Sequence, residues 1–161
     1  MSQAAVNRVR DYLAAHAPEL QVMEFEASTA TAPLAAAAIG CEVGAIVKSL
    51  CFVVDGQPVM TLVAGDMKVD DSKLAALFGV GRKRVKIADA ATVHRMTGFP
   101  VGGVSPVAHH AAMPVLIDRT LGRYTTVYAA AGSAHANFAI PLTRLIELTG
   151  GRLEDIVKSP V

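Results

Sequence analysis

Lys48 stands inside an otherwise apolar run, Ile46-Val47-Lys48-Ser49-Leu50-Cys51-Phe52-Val53-Val54. Removing an ammonium from water costs roughly several kcal/mol even after relaxation. The Lys48 head must therefore reach water, a carboxylate or an anionic ligand. One reading is a strand-entry lysine whose stem lies along apolar surface while its head reaches solvent. The sharper reading is a cation held for function.

The second chemical candidate is a bare loop, Thr97-Gly98-Phe99-Pro100-Val101-Gly102-Gly103-Val104-Ser105-Pro106, with three glycines, two prolines and no charge. Glycine removes the side chain and proline sets φ. Within it, Gly102 to Pro106 forms a G-x-x-x-P pattern. Backbone N–H groups at Gly103, Val104 and Ser105 could converge on one point, as in an oxyanion hole or an anion nest. A tight helix-to-strand connector has the same composition.

A second bare loop runs Ala131-Gly132-Ser133-Ala134-His135-Ala136-Asn137. Ser133 and His135 lack the spacing of a nucleophile and its base, and no acid completes a triad. The five histidines are scattered, with no H-x-H or H-x-x-x-H pair, so no metal site is expected. Surface or capping roles are expected for each. Positive charge concentrates in Arg82, Lys83, Arg84 and Lys86. Such a run is either a solvated face or a contact for RNA phosphates. No aromatic RNA-binding motif accompanies it, so base-specific reading is not indicated.

The elements that must position these groups follow from periodicity and punctuation. Val6, Val9, Leu13 and Ala17 recur at helical spacing over residues 4–17, and Pro18 ends the helix. Residues 22–26 read as a short strand. Thr31 caps a helix over residues 33–39 that ends at Gly40. Residues 46–64 read as a β-hairpin about Asp55-Gly56-Gln57-Pro58, apolar on both faces and so central in a sheet covered on two sides. Asp70 or Asp71 caps the next helix, ending at Gly79, and Asp89 caps another, ending at Gly98. Strands are expected at 85–88, 114–121, 125–132 and within 137–142, with Pro141 opening a last helix that ends at Gly150-Gly151. The tail 152–158 fits either type. The mixture predicts an α/β or α+β fold with a mixed central sheet, in one domain over residues 1–161.

Composition narrows the class. Hydrophobic residues are 52% and charged residues 18%, which excludes a disordered chain. A net charge of +1 predicts no polyanion partner from bulk charge, but leaves room for a local patch. No run is long enough to span a bilayer, and the first residues lack the order of a signal peptide. A cytoplasmic protein is expected, with Cys41 and Cys51 reduced and Cys51 a small buried thiol.

Several separated motifs also agree with a known family. The segments EVGAIVKSLCFVV, AGDMKVDDSKLAALFG, MTGFPVGGVSPV, AAGSAHANFAIPL and LTRLIELTGG resemble, in order from about Thr29 to Gly151, the YbaK family. These are the aminoacyl-tRNA editing domains related to the insertion domain of bacterial prolyl-tRNA synthetase. The resemblance implies a partly barrel-like mixed sheet surrounded by helices. It implies a freestanding deacylase that hydrolyses the ester between a wrong amino acid and the 3′ end of tRNA, with no metal or organic cofactor. The family's lysine matches Lys48, placed on the terminal adenosine phosphate or on developing charge. Its G-x-x-x-P loop matches Gly102, Gly103, Val104, Ser105 and Pro106, as oxyanion hole and exclusion wall. Its later glycine loop matches Gly132 and the residues after it. Many members carry a basic and an acidic residue there, where this chain has Ser133, His135 and Asn137. Phe25 and the Ala27–Thr31 segment are expected to form the opposite wall. Arg82, Lys83, Arg84 and Lys86 are expected on the acceptor stem, with prolyl-tRNA synthetase as a possible associate and no membrane or DNA partner. Alanine on proline tRNA is the first expectation for the substrate; cysteine on the same tRNA, or a non-catalytic nucleotide- or synthetase-binding module of the same fold, are the alternatives.

Overall fold

A computed structural model describes residues 2–159. Its elements in chain order are α1 (Ser2–His16), β1 (Val22–Glu24), α2 (Ala32–Ile39), β2 (Ile46–Val54), β3 (Gln57–Ala64), α3 (Asp71–Phe78), β4 (Val85–Ile87), α4 (Ala90–Thr97), β5 (Val115–Asp118), β6 (Thr126–Ala130), β7 (Ala136–Pro141), α5 (Leu142–Thr149) and β8 (Arg152–Glu154). Short 3-10 turns cover Val43–Ala45, Arg82–Arg84 and Arg119–Arg123.

The helix boundaries follow local chemistry. The Thr31 hydroxyl accepts from Leu34 N–H, Asp70 accepts from Ser72 and Lys73, and Asp89 accepts from Thr92. Each side chain satisfies orphan donors of a first turn. Gly40, Gly79, Gly98 and Gly150 close α2, α3, α4 and α5 in the left-handed conformation.

The mixed sheet runs β1-β7-β6-β2-β3-β5-β8, and β4 also pairs with β2. The hairpin turn is Asp55-Gly56 alone, with φ of 49° and 82°, the two positive values of a type I′ turn. Gln57 and Pro58, expected in the turn, already belong to β3, where Pro58 lies opposite Val53. The strand expected over 114–121 stops at Asp118, whose carboxylate accepts from Thr120 N–H and starts a 3-10 turn instead. The ambiguous tail supplies β8, parallel to β5.

The central hairpin alternates between two cores, as a period of two requires. Val47 and Cys51 of β2 and Met60, Leu62 and Ala64 of β3 join the core beneath α1 and α5. Phe52, Val54, Val59 and Val63 join the core beneath α3, with Leu74 and Ala75. Val9 and Leu13 of α1 are fully buried against the first core, each contributing about 1.5–3 kcal/mol relative to exposure.

One irregularity prepares the site. The second edge of β2 is shared: β6 pairs in parallel with Ile46 and Val47, while β4 pairs antiparallel with Phe52 to Val54. Between these contacts, Lys48, Ser49 and Leu50 are paired with β3 alone. Among the described residues no helix is long and apolar enough to cross a membrane.

Candidate functional site

A cavity of about 480 Å³ opens at this gap in the β2 edge. Its walls include Lys48, Ser49 and Cys51 of β2, Thr29, Ala30 and Thr31 before α2, Ile87 at the end of β4 and Ala88 after it, Val101, Gly102 and Val104 of the bare loop, and Ala130 and Asn137 of β6 and β7. The gap lets the cavity reach both sides of β2.

Lys48 is half-buried, and its Nζ donates to the Met67 carbonyl. Burial lowers its pKa, Asp66 opposes that shift and Lys68 adds to it. Asp66 is itself engaged by Arg123 through two hydrogen bonds of 2.9 and 2.7 Å, which hold its carboxyl below the usual range. Gly44 leaves room for this cluster: a Cβ there would lie 2.4 Å from the Tyr124 hydroxyl and 3.1 Å from Asp66 Oδ2. Lys48 is thus the one charged side chain lining the cavity among the described residues, held there by the Met67 carbonyl.

The bare loop turns at Pro100-Val101-Gly102-Gly103. Gly103 N–H donates to Pro100 O at 3.0 Å and Gly102 has φ +93°, the signature of a type II turn. The Gly103 N–H, expected to be free, is thus consumed. Among the described residues, the N–H groups of Val104 and Ser105 have no acceptor. The two bare loops meet: Gly132 N–H donates to Gly103 O at 2.9 Å. In a trans peptide the C=O and N–H point in opposite directions. That bond therefore turns the Val104 N–H away from Gly132.

Other expected site residues fall elsewhere. The Ser105 side chain is fully buried off the cavity; its hydroxyl accepts from Val107 N–H at 3.2 Å. Pro106 lines a separate cavity of about 270 Å³ with Tyr12 and His109. Phe25 is also off the cavity wall, and its N–H donates to the His135 carbonyl. The His135 ring reaches the Ala27 carbonyl through Nδ1 at 3.2 Å, and its N–H donates to the Ser133 hydroxyl. Gly132, Ser133 and His135 thus pack the loop rather than face the cavity. Thr31 does line it while capping α2. Arg82, Lys83, Arg84 and Lys86 are exposed; Arg84 lies 3.6 Å from Asp55. This basic run leads directly into Ile87, which is 63% exposed at the cavity.

His109 corrects the expectation of a surface or capping histidine. Its Nε2 lies 2.7 Å from the Ser105 carbonyl, which can only accept, so Nε2 carries the proton. Burial lowers its pKa, with Arg8 adding to the shift and the Ser105 bond opposing it. Arg8 of α1 supports the same loop. Its guanidinium sits 4.2 Å from the Phe99 ring centroid and donates to the Thr97 and Ala108 carbonyls at 2.7 and 3.0 Å. The sequence carried no signal for these two residues. Arg8 acts across 89 and 100 positions of chain, and the burial of His109 is set by packing. No group of three or more His, Cys, Asp or Glu side chains able to hold a metal is present among the described residues.

This fold and cavity agree with what the sequence matches. The chain belongs to the aminoacyl-tRNA editing domain family, which it matches over residues 26–148. It is 36% identical over 140 residues to the uncharacterized protein YwhH of Bacillus subtilis (strain 168), covering 86% of each chain. It is 42% identical over 101 residues to a proline–tRNA ligase of Desulfovibrio desulfuricans, covering 63% of this chain but 17% of the ligase. A crystal structure of "a putative trans-editing enzyme for prolyl tRNA synthetase" superposes with a TM-score of 0.90 at 37% identity, covering 96% of this chain and 98% of that one.

Proposed function

We propose that this protein is a trans-editing deacylase that hydrolyses small non-cognate aminoacyl esters on proline tRNA, with alanine as the first candidate. The observation that carries the reading is the meeting of Lys48 and the bare loop on one cavity, large enough for an aminoacyl ester and lined by Ile87, the residue next to the exposed basic run. The matching trans-editing structure and the ligase relative support the choice of proline tRNA.

In this reading the 3′-terminal aminoacyl adenosine enters past Ile87. Lys48 neutralises a terminal phosphate or developing negative charge. The ester carbonyl faces the free N–H group of Val104, the one of the two that belongs to a cavity-lining residue. Water adds to the carbonyl carbon, the negative charge gathers on the carbonyl oxygen, and a preorganised N–H donor stabilises it by about 3 kcal/mol. Collapse breaks the bond to the ribose 3′ oxygen, which takes a proton as it leaves with the tRNA. Among the described residues no histidine–acid pair lines the cavity, so backbone carbonyls and the vicinal ribose hydroxyl are left to orient the water. Attraction alone separates neighbours differing by a methylene by only about 1–3 kcal/mol. Proline is instead refused by shape, with Val104 as a wall.

The test is deacylation of proline tRNAs carrying alanine, cysteine, serine, threonine, 2-aminobutyrate or proline. Rapid loss of a small non-cognate ester with proline spared is expected. Loss of none above the spontaneous rate overturns the reading in favour of a binding module.

A further inference from the structure

Asn137 is 1% exposed, yet it lines the cavity. Its orientation follows from a chain of hydrogen bonds. The Thr29 hydroxyl donates its single proton to the Ala134 carbonyl at 3.0 Å. Thr29 Oγ1 can then only accept from its other neighbour, the Asn137 amide, 2.8 Å away. The Asn137 NH₂ must therefore face Thr29, and Oδ1 must face away from it. Among the described residues Oδ1 has no hydrogen-bond donor, yet it is not sealed off from solvent. The oxygen is open to the cavity.

A second acceptor shares this wall. Ser49 Oγ is the one side-chain polar atom that is both buried and without a partner among the described residues. It sits where β2 lacks a neighbour on its second edge. A buried polar atom left unpaired is unfavourable, so Ser49 Oγ marks this wall as short of a polar partner, while the open Asn137 Oδ1 is the acceptor a ligand can reach. Lys48, the one cation lining the cavity among the described residues, donates one of its three ammonium protons to Met67, and neither oxygen is its partner.

We propose that Asn137 Oδ1 accepts a hydrogen bond from the α-amino group of the bound aminoacyl ester. The inference rests on the deacylase reading for what enters the cavity. The division of labour is chemical. The Val104 N–H meets the carbonyl oxygen, and Asn137 Oδ1 meets the amine one carbon away. The Thr29–Ala134 bond makes Thr29 a positioning residue, because it fixes which end of the amide faces the substrate.

The test is calorimetric binding of two hydrolysis-resistant adenosines, 3′-deoxy-3′-(alanylamino)adenosine and 3′-deoxy-3′-(propanoylamino)adenosine. They differ by the α-amino group, and the second is smaller, so a clash cannot explain its weaker binding. Wild type is expected to prefer the alanyl compound about tenfold, the equivalent of one net hydrogen bond. Asn137→Leu should abolish the preference, and Asn137→Asp, whose second carboxylate oxygen accepts the Thr29 hydroxyl proton in place of the lost amide donor, should enlarge it. Equal binding of both compounds by wild type, binding of neither, or a preference that survives in Asn137→Leu overturns the proposal. Where Asn137→Leu fails to fold, a preference in Asn137→Asp no greater than wild type overturns it. Deacylation is measured separately, so loss of the hydrolase reading with the amine preference intact would be seen as such.

Discussion

Gly103 O accepts from Gly132 N–H at 2.9 Å, and the Gly103 Cα presses on the next residue of that loop, Ser133. A Cβ on Gly103 would lie 2.7 Å from Ser133 N and Cα and 2.8 Å from its carbonyl carbon. These are backbone atoms, so no rotamer change relieves the overlap. Gly103→Ala is expected to lose about 1–3 kcal/mol of stability by forced backbone displacement. It should also lower kcat/KM for deacylation about 10²-fold, because the Val104 N–H loses its aim. Gly81→Ala is the control: its φ is −72° and a Cβ there meets nothing within 4 Å. Urea unfolding and single-turnover deacylation of both variants check this.

Lys48 predicts an alkaline limit. Burial lowers its pKa, so its cation is lost at lower pH than an ordinary lysine's. Deacylation should fall along that limb as pH rises. Asp66 supports the cation, so Asp66→Asn should move the limb to lower pH, while Lys48→Met removes activity at all pH values. Stability has the opposite sign. With the folded pKa depressed, the unfolded chain binds more protons in the window between the two values, so wild-type stability rises with pH across it. Lys48→Met should lack that rise. A pH–rate profile beside a pH–stability series tests both signs.

His109 predicts an acid limit on the fold. Its folded pKa lies below the ordinary histidine value because the ring is buried, so its contribution to stability is intact above that ordinary value and is lost as pH falls through the window beneath it. His109→Gln keeps an N–H donor for Ser105 without titrating. Its melting temperature should vary less than wild type's across weakly acidic pH, while deacylation near neutrality is largely kept. His109→Ala, which leaves the Ser105 carbonyl unpaired, should lower kcat.

The exposed basic run predicts salt dependence. Replacing Arg82, Lys83, Arg84 and Lys86 by alanine should weaken tRNA binding across all tRNA sequences. The slope of log K against log salt should shrink by about 0.7–0.9 for each phosphate contact removed. Filter binding over a salt series measures it. An unchanged slope would place the acceptor stem on another face.

The elements legible in the sequence were those decided by neighbours in the chain. Thr31, Asp70 and Asp89 cap helices because a short polar side chain reaches an N–H two or three residues ahead. Asp55-Gly56 turns because both positions accept positive φ. The central hairpin announced itself because strands covered on both faces must be apolar at every position. Even here the boundaries shifted: nothing local said that Asp118 would end β5 by capping a 3-10 turn.

The site is different in kind. Lys48 and the glycine-rich loop stood out by composition, but their shared cavity depends on β6 and β4 dividing one edge of β2, a matter of long-range register. The Gly103–Ser133 contact joins segments thirty residues apart, and the free face of Asn137 is set by Thr29, 108 residues away. Hydrogen-bond direction and close approach are properties of atoms brought together by folding. Residue order was enough to dictate the bare backbone, the isolated cation and the local caps, because each depends on side chains a few positions apart. Folding alone chose which N–H groups were left free, which end of Asn137 faced the cavity, and that His109 would be half-buried as the loop's support.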